Sequence, residues 1–364
     1  MKLDINAVGD ISLGDHPVCV GHGMRSALEK HGRKVYREIE DELISGDINL
    51  CNIETVVSNV GFNRYWLPSF EMRGDPCQLS VVKDVGFNVM GVANNHAMQH
   101  GVKAFEDMVE QIAKLGVSVI GIECDKRRTS VHEFVHDCEG VSAVFAVSIR
   151  PEEWTKDRPV LYSLRESTGI LLEEVRQLRS RYSGFLVCSI HWGLEFLEYP
   201  APSQIELGRK LIDAGVDVLF GHHPHVLQPV ERYKNGLIFY SLGNFVFDLW
   251  PDSTKLTAIA KVRLESGRVP DYKVVPVKIG DDLKLRKADS FETQKIKSLL
   301  SWTNYMNREG TPSTDLEYEN QYKLERKAFR YSSYQYFLAN LRKYPLRFVV
   351  QSLARTGLRR ILGI

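Results

Sequence analysis

The sequence lacks the closely paired cysteines of a disulfide framework. Its six cysteines contain no CxxC pair, and some, such as Cys51 and Cys188, lie within apolar runs. Thiols in such runs are typical of buried, reduced cysteines, which indicates a reducing compartment. The cysteines are Cys19, Cys51, Cys77, Cys124, Cys138 and Cys188.

Long apolar runs and a strong net charge are also missing. No stretch of about 18 apolar residues is present, which excludes a membrane-spanning helix. The formal net charge of +1 gives no indication of nucleic-acid binding or of an acidic tail. Residues 1–4 lead directly into a strand-like run, without the basic and apolar segments of a secretion signal. We therefore expect a cytoplasmic protein that binds no nucleic acid.

Short β-branched runs alternate with amphipathic helical segments from residue 3 to about residue 250. This alternation predicts an α/β fold with a sheet flanked by helices. Two further runs, 256–264 and 272–277, alternate apolar with polar residues around Gly267 and predict an antiparallel hairpin. The β-branched runs are 3–8, 48–53, 87–92, 117–120, 141–147, 185–190, 216–220 and 237–240.

The C-terminal part of the chain has a different composition. We predict one domain over residues 1–290 and a basic, aromatic-rich helical extension over 291–364. Residues 321–364 carry ten basic residues against Glu325 alone, with eight aromatic residues interleaved. Such a segment either packs its aromatic residues on the domain, which we favour, or makes peripheral contact with an anionic membrane. The basic residues are Lys323, Arg326, Lys327, Arg330, Arg342, Lys343, Arg347, Arg355, Arg359 and Arg360.

Five polar clusters follow strand-like runs, where open α/β sheets bind their ligands. Each cluster alone has an ordinary explanation, such as a turn or a helix cap. Five clusters at equivalent strand ends, one of them with three histidines in four positions, indicate a shared site. The clusters are Gly9-Asp10, Asn52-Ile53-Glu54, Ala93-Asn94-Asn95-His96, His191-Trp192-Gly193 and Gly221-His222-His223-Pro224-His225.

The residue types in these clusters favour a pair of divalent metal ions. A carboxylate can bridge two cations, while imidazole nitrogens and an amide oxygen complete each coordination shell. Two such cations activate water and stabilise both the attacking and the leaving oxygen. We expect His223 and His225 to alternate along an extended segment with Pro224 between them, so that both side chains point to one side.

Six motifs resemble those of the CapA or poly-γ-glutamate synthesis proteins, a branch of the calcineurin-like metallophosphatase superfamily. The resemblance covers roughly residues 3–250 and keeps the order of the family's motifs. It implies a metallophosphatase-type β-sandwich flanked by helices. The motifs are GDISLGD (9–15), NIETVVSN (52–59), ANNHAMQHG (93–101), HWGLEF (191–196), GHHPHVLQPVE (221–231) and YSLGNFVF (240–247).

The resemblance also implies a role for each motif residue. Asp10 and His225 would bind the first metal, and Glu54 would bridge the two. The second metal would be bound by Asn95, His191 and His223. His96 would be the catalytic residue that faces the substrate and stabilises or protonates the leaving oxygen. The residues expected to support the ligands or contact the substrate are Glu195, Glu231 and Asn244, with Glu195 as a partner of a ligand histidine.

Two positions depart from the family's pattern. Ser12 stands where general metallophosphatases have a histidine, which removes one ligand and predicts a weaker first site. Gln99 stands where the family has an aspartate, so any support of His96 would be weaker.

The sequence therefore favours a hydrolase with two ions of Mn, Fe or Zn that cleaves a phosphoester or an acyl or amide bond. The expected substrate is an anionic small molecule or polymer. The alternative is a non-catalytic assembly or binding component for an anionic capsule-type polymer. Metal-dependent turnover distinguishes the two.

Overall fold

A computed structural model describes residues 1–124, 128–137, 139–154 and 160–362, with side chains described up to residue 355. Cys138 and the side chains of Arg359 and Arg360 lie outside the described residues.

Each predicted β-branched run contains a strand, and helices separate some of these strands. The strands are β1 Lys2–Ile11, β2 Ile48–Ile53, β3 Val56–Val57, β4 Arg73–Gly74, β5 Val89–Gly91, β6 Ser118–Ile120, β7 Glu123–Cys124, β8 Arg128–Thr129, β9 Val131–His136, β10 Gly140–Ser148, β11 Leu186–His191, β12 Val218–His222, β13 Leu227–Tyr233, β14 Gly236–Leu242, β15 Asn244–Val246, β16 Leu256–Glu265, β17 Asp271–Ile279 and β18 Leu285–Lys287. The helices are α1 Met24–His31, α2 Cys77–Asp84, α3 Val102–Lys114, α4 Thr168–Arg181, α5 Pro202–Asp213, α6 Ser290–Leu300, α7 Trp302–Met306, α8 Asp315–Ala339 and α9 Leu346–Leu362. The predicted alternation is incomplete, because in the described part of the chain β6 to β10 and β12 to β15 follow one another without an α-helix.

Two mixed sheets form a sandwich. The first has the order β18-β17-β16-β1-β2-β5-β6, with β15 also paired to β1, and the second has the order β13-β14-β12-β11-β10-β9. Strands β1, β2, β5 and β6 run parallel, as do β10, β11, β12 and β14. The predicted hairpin is confirmed, because β16 and β17 pair antiparallel. The predicted α/β sandwich with C-terminal helices is therefore confirmed.

The central strands are buried on both faces, which explains their nearly continuous apolar runs. All six residues of β2 and of β11 are buried. Leu50 of the first sheet and Phe220 of the second belong to one core cluster between the sheets. A second cluster joins the other face of the second sheet, at Cys188, to helices α4 and α5. Both sheets are thereby held at fixed positions, and so are the loops that follow their strands.

The C-terminal helices lie against the sandwich. Phe329 of α8 stacks on Phe196 with a ring-centroid distance of 4.2 Å, and Tyr318 packs in a cluster with Tyr199. Phe348 of α9 is buried beside Val20. These contacts agree with the favoured interpretation for part of the segment, but Tyr331 and Tyr334 are exposed. The division of the chain at residue 290 stays a prediction.

The structure also bears on the cysteines and on the absence of a membrane-spanning helix. Cys19, Cys51 and Cys188 are buried, but the prediction of buried thiols is wrong for Cys77 and Cys124, which are exposed. Within the described residues, none of the helices is both long and apolar enough to cross a bilayer.

Candidate metal centre

The predicted polar clusters meet where the parallel strands of the two sheets end. Asp10 lies near the end of β1, and Glu54 directly follows β2. Asn95 lies in the loop after β5, and His191 is the last residue of β11. Because parallel strands end at a common edge, residues distant in sequence come together there.

Close backbone packing aligns β1 with β15 at this edge. A side-chain carbon on Gly9 would lie 2.0 Å from the Gly243 carbonyl oxygen, so only glycine fits at position 9. Gly243 itself has a φ of +65°. The approach places Asp10 opposite Asn244 in the β1–β15 register.

The six predicted ligands form two overlapping groups. Asp10, Glu54 and His225 have ligand atoms within 4.8 Å of one another, as do Glu54, His191 and His223. The Asn95 Oδ1 atom lies 2.9 Å from His191 Nε2, so the amide oxygen is at the edge of the second group. Glu54 is common to both groups, which is the position of a bridging carboxylate. The assignment of each residue to a metal stays a prediction.

Several of these atoms are buried without a hydrogen-bond partner among the described residues. They include both carboxylate oxygens of Glu54, both ring nitrogens of His223 and the Nδ1 atom of His191. An unpaired buried polar group costs several kcal/mol, so native proteins nearly always satisfy such groups. A cation held between a carboxylate and neutral imidazoles would satisfy the carboxylate oxygens and one nitrogen of each ring. The donor set therefore fits divalent metal ions.

The two carboxylates of the site differ in charge state. Burial disfavours ionisation of Asp10, but a hydrogen bond from His222 and the nearby histidines outweigh it and hold the Asp10 pKa well below its usual range. Burial, together with the neighbouring Asp10, raises the pKa of Glu54 well above its usual range. Burial also lowers the pKa of His191 and His223 far below the usual value. Both imidazoles are therefore neutral, as metal ligation requires.

The backbone around Pro224 is not extended. His223 has a φ of +94° and His225 a φ of +59°. The predicted alternation of these histidines along an extended segment is therefore wrong. They reach the site from a tight turn, with their ring centroids 6.0 Å apart. Positive φ is unfavourable for histidine, and strain of this kind concentrates at functional sites.

Neighbouring residues fix the orientation of the ligands. Asn52 donates to Asp10 Oδ1 at 2.8 Å, and His222 Nδ1 contacts the same oxygen at 3.0 Å. Asn244 Oδ1 accepts a hydrogen bond from His225 Nδ1 at 2.8 Å. These contacts agree with the supporting role expected for Asn244. Sequence reasoning missed the roles of Asn52 and His222, although both lie inside quoted motifs.

The other two supporting residues have different partners. Tyr322 of α8 donates to Glu195 Oε2 at 2.6 Å, so Glu195 is held by a tyrosine instead of by a ligand histidine. Glu231 pairs with Arg209 at 2.6 Å and accepts a hydrogen bond from the Tyr240 hydroxyl at 2.7 Å. Neither partner of Glu231 belongs to the predicted site. These contacts give Glu231 a structural ion pair, and its expected role at the site stays a prediction.

His96 lies beside the ligand groups, and Gln99 orients it. The Gln99 Oε1 atom is 2.8 Å from His96 Nδ1, and since an amide oxygen only accepts, Nδ1 carries the hydrogen. Burial lowers the pKa of His96, although the Gln99 contact acts in the opposite direction. Ser12 is the other residue that differs from the family's pattern. Its hydroxyl donates a hydrogen bond to the Gly14 carbonyl at 3.0 Å within its own loop.

A cavity of about 450 Å³ adjoins the site. His96 and His225 line it together with Arg326 of α8 and Arg355 of α9. His16 also lines the cavity, although it is not one of the predicted site residues. No spacing rule identifies His16 from the sequence, because it follows a loop residue and not a strand.

The family of this chain follows from a match over most of its length. Residues 4–249 match the family model "Bacterial capsule synthesis protein PGA_cap". The chain belongs to this capsule synthesis family. The motifs that carry the predicted ligands all lie within the matched residues.

Individual relatives support the family assignment, whereas the structural match is weaker. The chain is 29% identical to the "Capsule biosynthesis protein CapA" of Bacillus anthracis over 287 residues, covering 76% of this chain and 68% of that protein. It is 28% identical to the "PGA biosynthesis protein CapA" of Bacillus subtilis (strain 168), covering 76% and 72% of the two chains. The structure of Haemophilus influenzae NAD nucleotidase matches at a TM-score of 0.47 and 12% identity, covering 90% of this chain but only 60% of its own. A similarity at that TM-score supports no conclusion about this chain.

Proposed function

We propose that this member of the capsule synthesis family is a metal-dependent hydrolase with a dinuclear site. The observation that carries the proposal is Glu54, a fully buried carboxylate without a hydrogen-bond partner among the described residues, which is common to both ligand groups. A folded protein tolerates such a group where a cation neutralises it.

The first ion would be held by Asp10, Glu54 and His225, and the second by Glu54, Asn95, His191 and His223. Bound together, two divalent cations activate water and stabilise negative charge on the attacking and leaving oxygens. Mn, Fe and Zn all suit this mixture of nitrogen and oxygen ligands. The first group lacks a histidine from its own motif, so we expect it to bind its ion more weakly.

His96 is the residue proposed to act on the substrate. Its Nδ1 hydrogen is directed at Gln99, which leaves Nε2 as the atom that can exchange a proton. The ring lines the cavity beside His225, so a bound substrate lies within its reach. An anionic group next to the ring would raise its lowered pKa and favour the protonated form that a leaving oxygen needs.

The alternative function is binding of an anionic polymer without turnover. It is favoured by Ser12, whose hydroxyl is engaged by Gly14 and supplies no imidazole to the first ion. A loosely held first ion would leave a binding site with little catalytic power.

Metal-dependent turnover distinguishes the two functions. Stripped protein is reloaded separately with Mn, Fe(II) and Zn, and assayed on p-nitrophenyl phosphate, bis-p-nitrophenyl phosphate and γ-glutamyl-p-nitroanilide. Hydrolysis that requires the metal and falls in His96→Ala supports the hydrolase. Metal binding without turnover of any of the three, in wild type and His96→Ala alike, supports the alternative.

We also propose a cytoplasmic location with peripheral contact to an anionic membrane through α9. Leu346, Val350 and Leu353 are spaced along one side of this helix and are 80%, 61% and 58% exposed. Arg342, Lys343 and Arg347, which are also exposed, lie at the start of the same segment. Apolar side chains flanked by basic ones fit the interface of a bilayer that contains anionic lipids.

A further inference from the structure

The cavity beside the metal centre is covered by one face of α8. Tyr322, Arg326 and Phe329 follow at helical spacing, and each is tied to this region. Tyr322 donates to Glu195, and Phe329 stacks on both Phe196 and Trp250. Arg326 lies between these two anchors and lines the cavity. Since the residues on both sides of it along the helix are held, the backbone at Arg326 is fixed relative to the site, while its side chain is exposed.

Among the described residues, the acidic side chains that line the cavity form no ion pair with Arg326. Glu71 pairs with Arg355 at 2.6 Å, and Glu195 accepts the tyrosine hydroxyl. Arg326 makes no ion pair within 4.0 Å among the described residues. Its charge acts at longer range on Glu153, where it partly opposes a pKa that burial raises. The cavity thus contains a guanidinium that is free of an ion pair among the described residues, and His96, His225 and the Glu195 carboxylate line the same cavity.

We propose that Arg326 forms a subsite for a second anionic group of the substrate, separate from the group that the metals bind. This inference rests on the proposed function and narrows its substrate class to molecules with two anionic groups. A guanidinium binds carboxylate or phosphate through two parallel hydrogen bonds, which gives orientation as well as attraction. Arg326 lies outside the residues 4–249 that match the family model, so the subsite is a property of this chain's C-terminal segment.

Non-hydrolysable ligands test the subsite independently of turnover. Methylphosphonate carries one anionic group, whereas phosphonoacetate, phosphonopropionate and phosphonobutyrate add a carboxylate at increasing distance. Isothermal titration calorimetry with the metal-loaded full chain should find at least one of the three binding about fivefold more tightly than methylphosphonate, the range of a partly exposed ion pair. Arg326→Gln should abolish this preference and leave methylphosphonate affinity and metal content unchanged. Arg326→Lys should keep part of it.

Arg330→Gln is the matched control, because Arg330 is exposed one turn later on α8 and does not line the cavity. Retention of the preference in this variant supports the subsite. If both variants lose the preference for carboxylate-bearing ligands equally, the preference depends on the overall positive charge of α8 and the proposal is overturned. An unchanged preference in Arg326→Gln would also overturn it. If methylphosphonate binds but no carboxylate-bearing ligand binds better, the subsite fails while the proposed function stands. If methylphosphonate itself does not bind, the metals do not bind the first anionic group, so the subsite proposal is overturned together with the phosphoesterase form of the proposed function.

Discussion

The floor and the roof of the cavity are built in opposite ways. The floor is the group of side chains at the strand ends that adjoins the cavity, where Glu54 and His223 are buried without a hydrogen-bond partner among the described residues and His223 and His225 have positive φ. The roof consists of α8 and α9, where aromatic residues pack on the sandwich and Glu71 and Glu195 are satisfied by Arg355 and Tyr322.

From this difference we expect one group of residues to control metal binding and turnover and the other to control which anion binds. The floor stores unfavourable interactions that a metal ion relieves, so its residues should control metal binding and turnover. The roof is held by ordinary packing and carries exposed positive charge, so its residues should control which anion enters. Changes in the floor should therefore have larger effects than changes in the roof.

The largest effect is expected for Glu54→Gln. It removes the shared ligand, so metal content and any activity should fall below detection. The metal-free protein should at the same time gain about 1–3 kcal/mol in unfolding free energy, because burial raises the pKa of Glu54 and the acid must take up a proton on folding, whereas glutamine is already neutral. Thermal and denaturant unfolding with and without metal measure both effects.

Glu231→Gln is the matched control for that change. Glu231 is also buried, but it is paired with Arg209. Its replacement should lower stability and leave metal content intact. A loss of stability in Glu54→Gln without metal would show that Glu54 has an unrecognised partner.

The second prediction distinguishes the proposed metal ligands from the proposed acid or base. His223→Ala and His225→Ala should lower metal occupancy and activity together. His96→Ala should keep the metals and reduce turnover by about 10²–10⁴-fold, the usual effect of losing one acid or base. Metal analysis and steady-state kinetics on the same preparations test this division. Loss of metal from His96→Ala, or full activity in that variant, would contradict it.

The third prediction concerns a pair of buried acids next to the floor. Asp248 accepts the His16 amide at 2.9 Å, and burial raises its pKa to about 7, with nearby Asp15 adding to the shift. Burial raises the pKa of Asp15 to about 6. Because both folded pKa values exceed the unfolded value, the stability from these groups is complete below about pH 4 and declines as the pH rises through 6 to 7.

Asp248→Asn removes one of the two charges and should flatten this decline. At pH 8 the variant should be more stable than wild type by about 1–2 kcal/mol. Denaturant unfolding at pH 5 and pH 8 measures the difference. A variant that is less stable than wild type at pH 8 would show that the Asp248 charge has a function in the fold.

The smallest effect is expected on the roof's outer face. Val350→Gln should weaken binding to vesicles with anionic lipids by about fivefold, since it removes one apolar side chain from the interface. Raised salt should release the wild-type protein. Leu316→Gln is the control, because Leu316 is 66% exposed but lies before the basic segment. Vesicle co-sedimentation that is equal for all three proteins would exclude this surface.

The sequence predicts the floor better than the roof for a physical reason. Asp10, Glu54 and His191 follow buried apolar strands, and the ends of parallel strands lie at a common edge, so their meeting could be predicted. The conformation of His223 could not, because its positive φ depends on contacts such as the Phe196 amide donating to the Pro224 carbonyl at 2.8 Å.

Partners far apart in sequence were also beyond prediction. Tyr322 reaches Glu195 only because α8 folds back over the sandwich, and no pattern in either segment encodes that contact. The same applies to the pairing of Arg209 with Glu231. The contact between His222 and Asp10 depends on how the two sheets pack against each other, because the two residues lie in different sheets.

The central claim is that Glu54 lies between two metal ions. The most direct measurement is a crystal structure of protein grown with Mn, Fe or Zn, with anomalous difference maps recorded at each absorption edge. We predict two peaks, one on either side of the Glu54 carboxylate, with the peak near Asp10 and His225 the weaker. A single peak remote from Glu54, or no peak with metal in excess, would contradict the account.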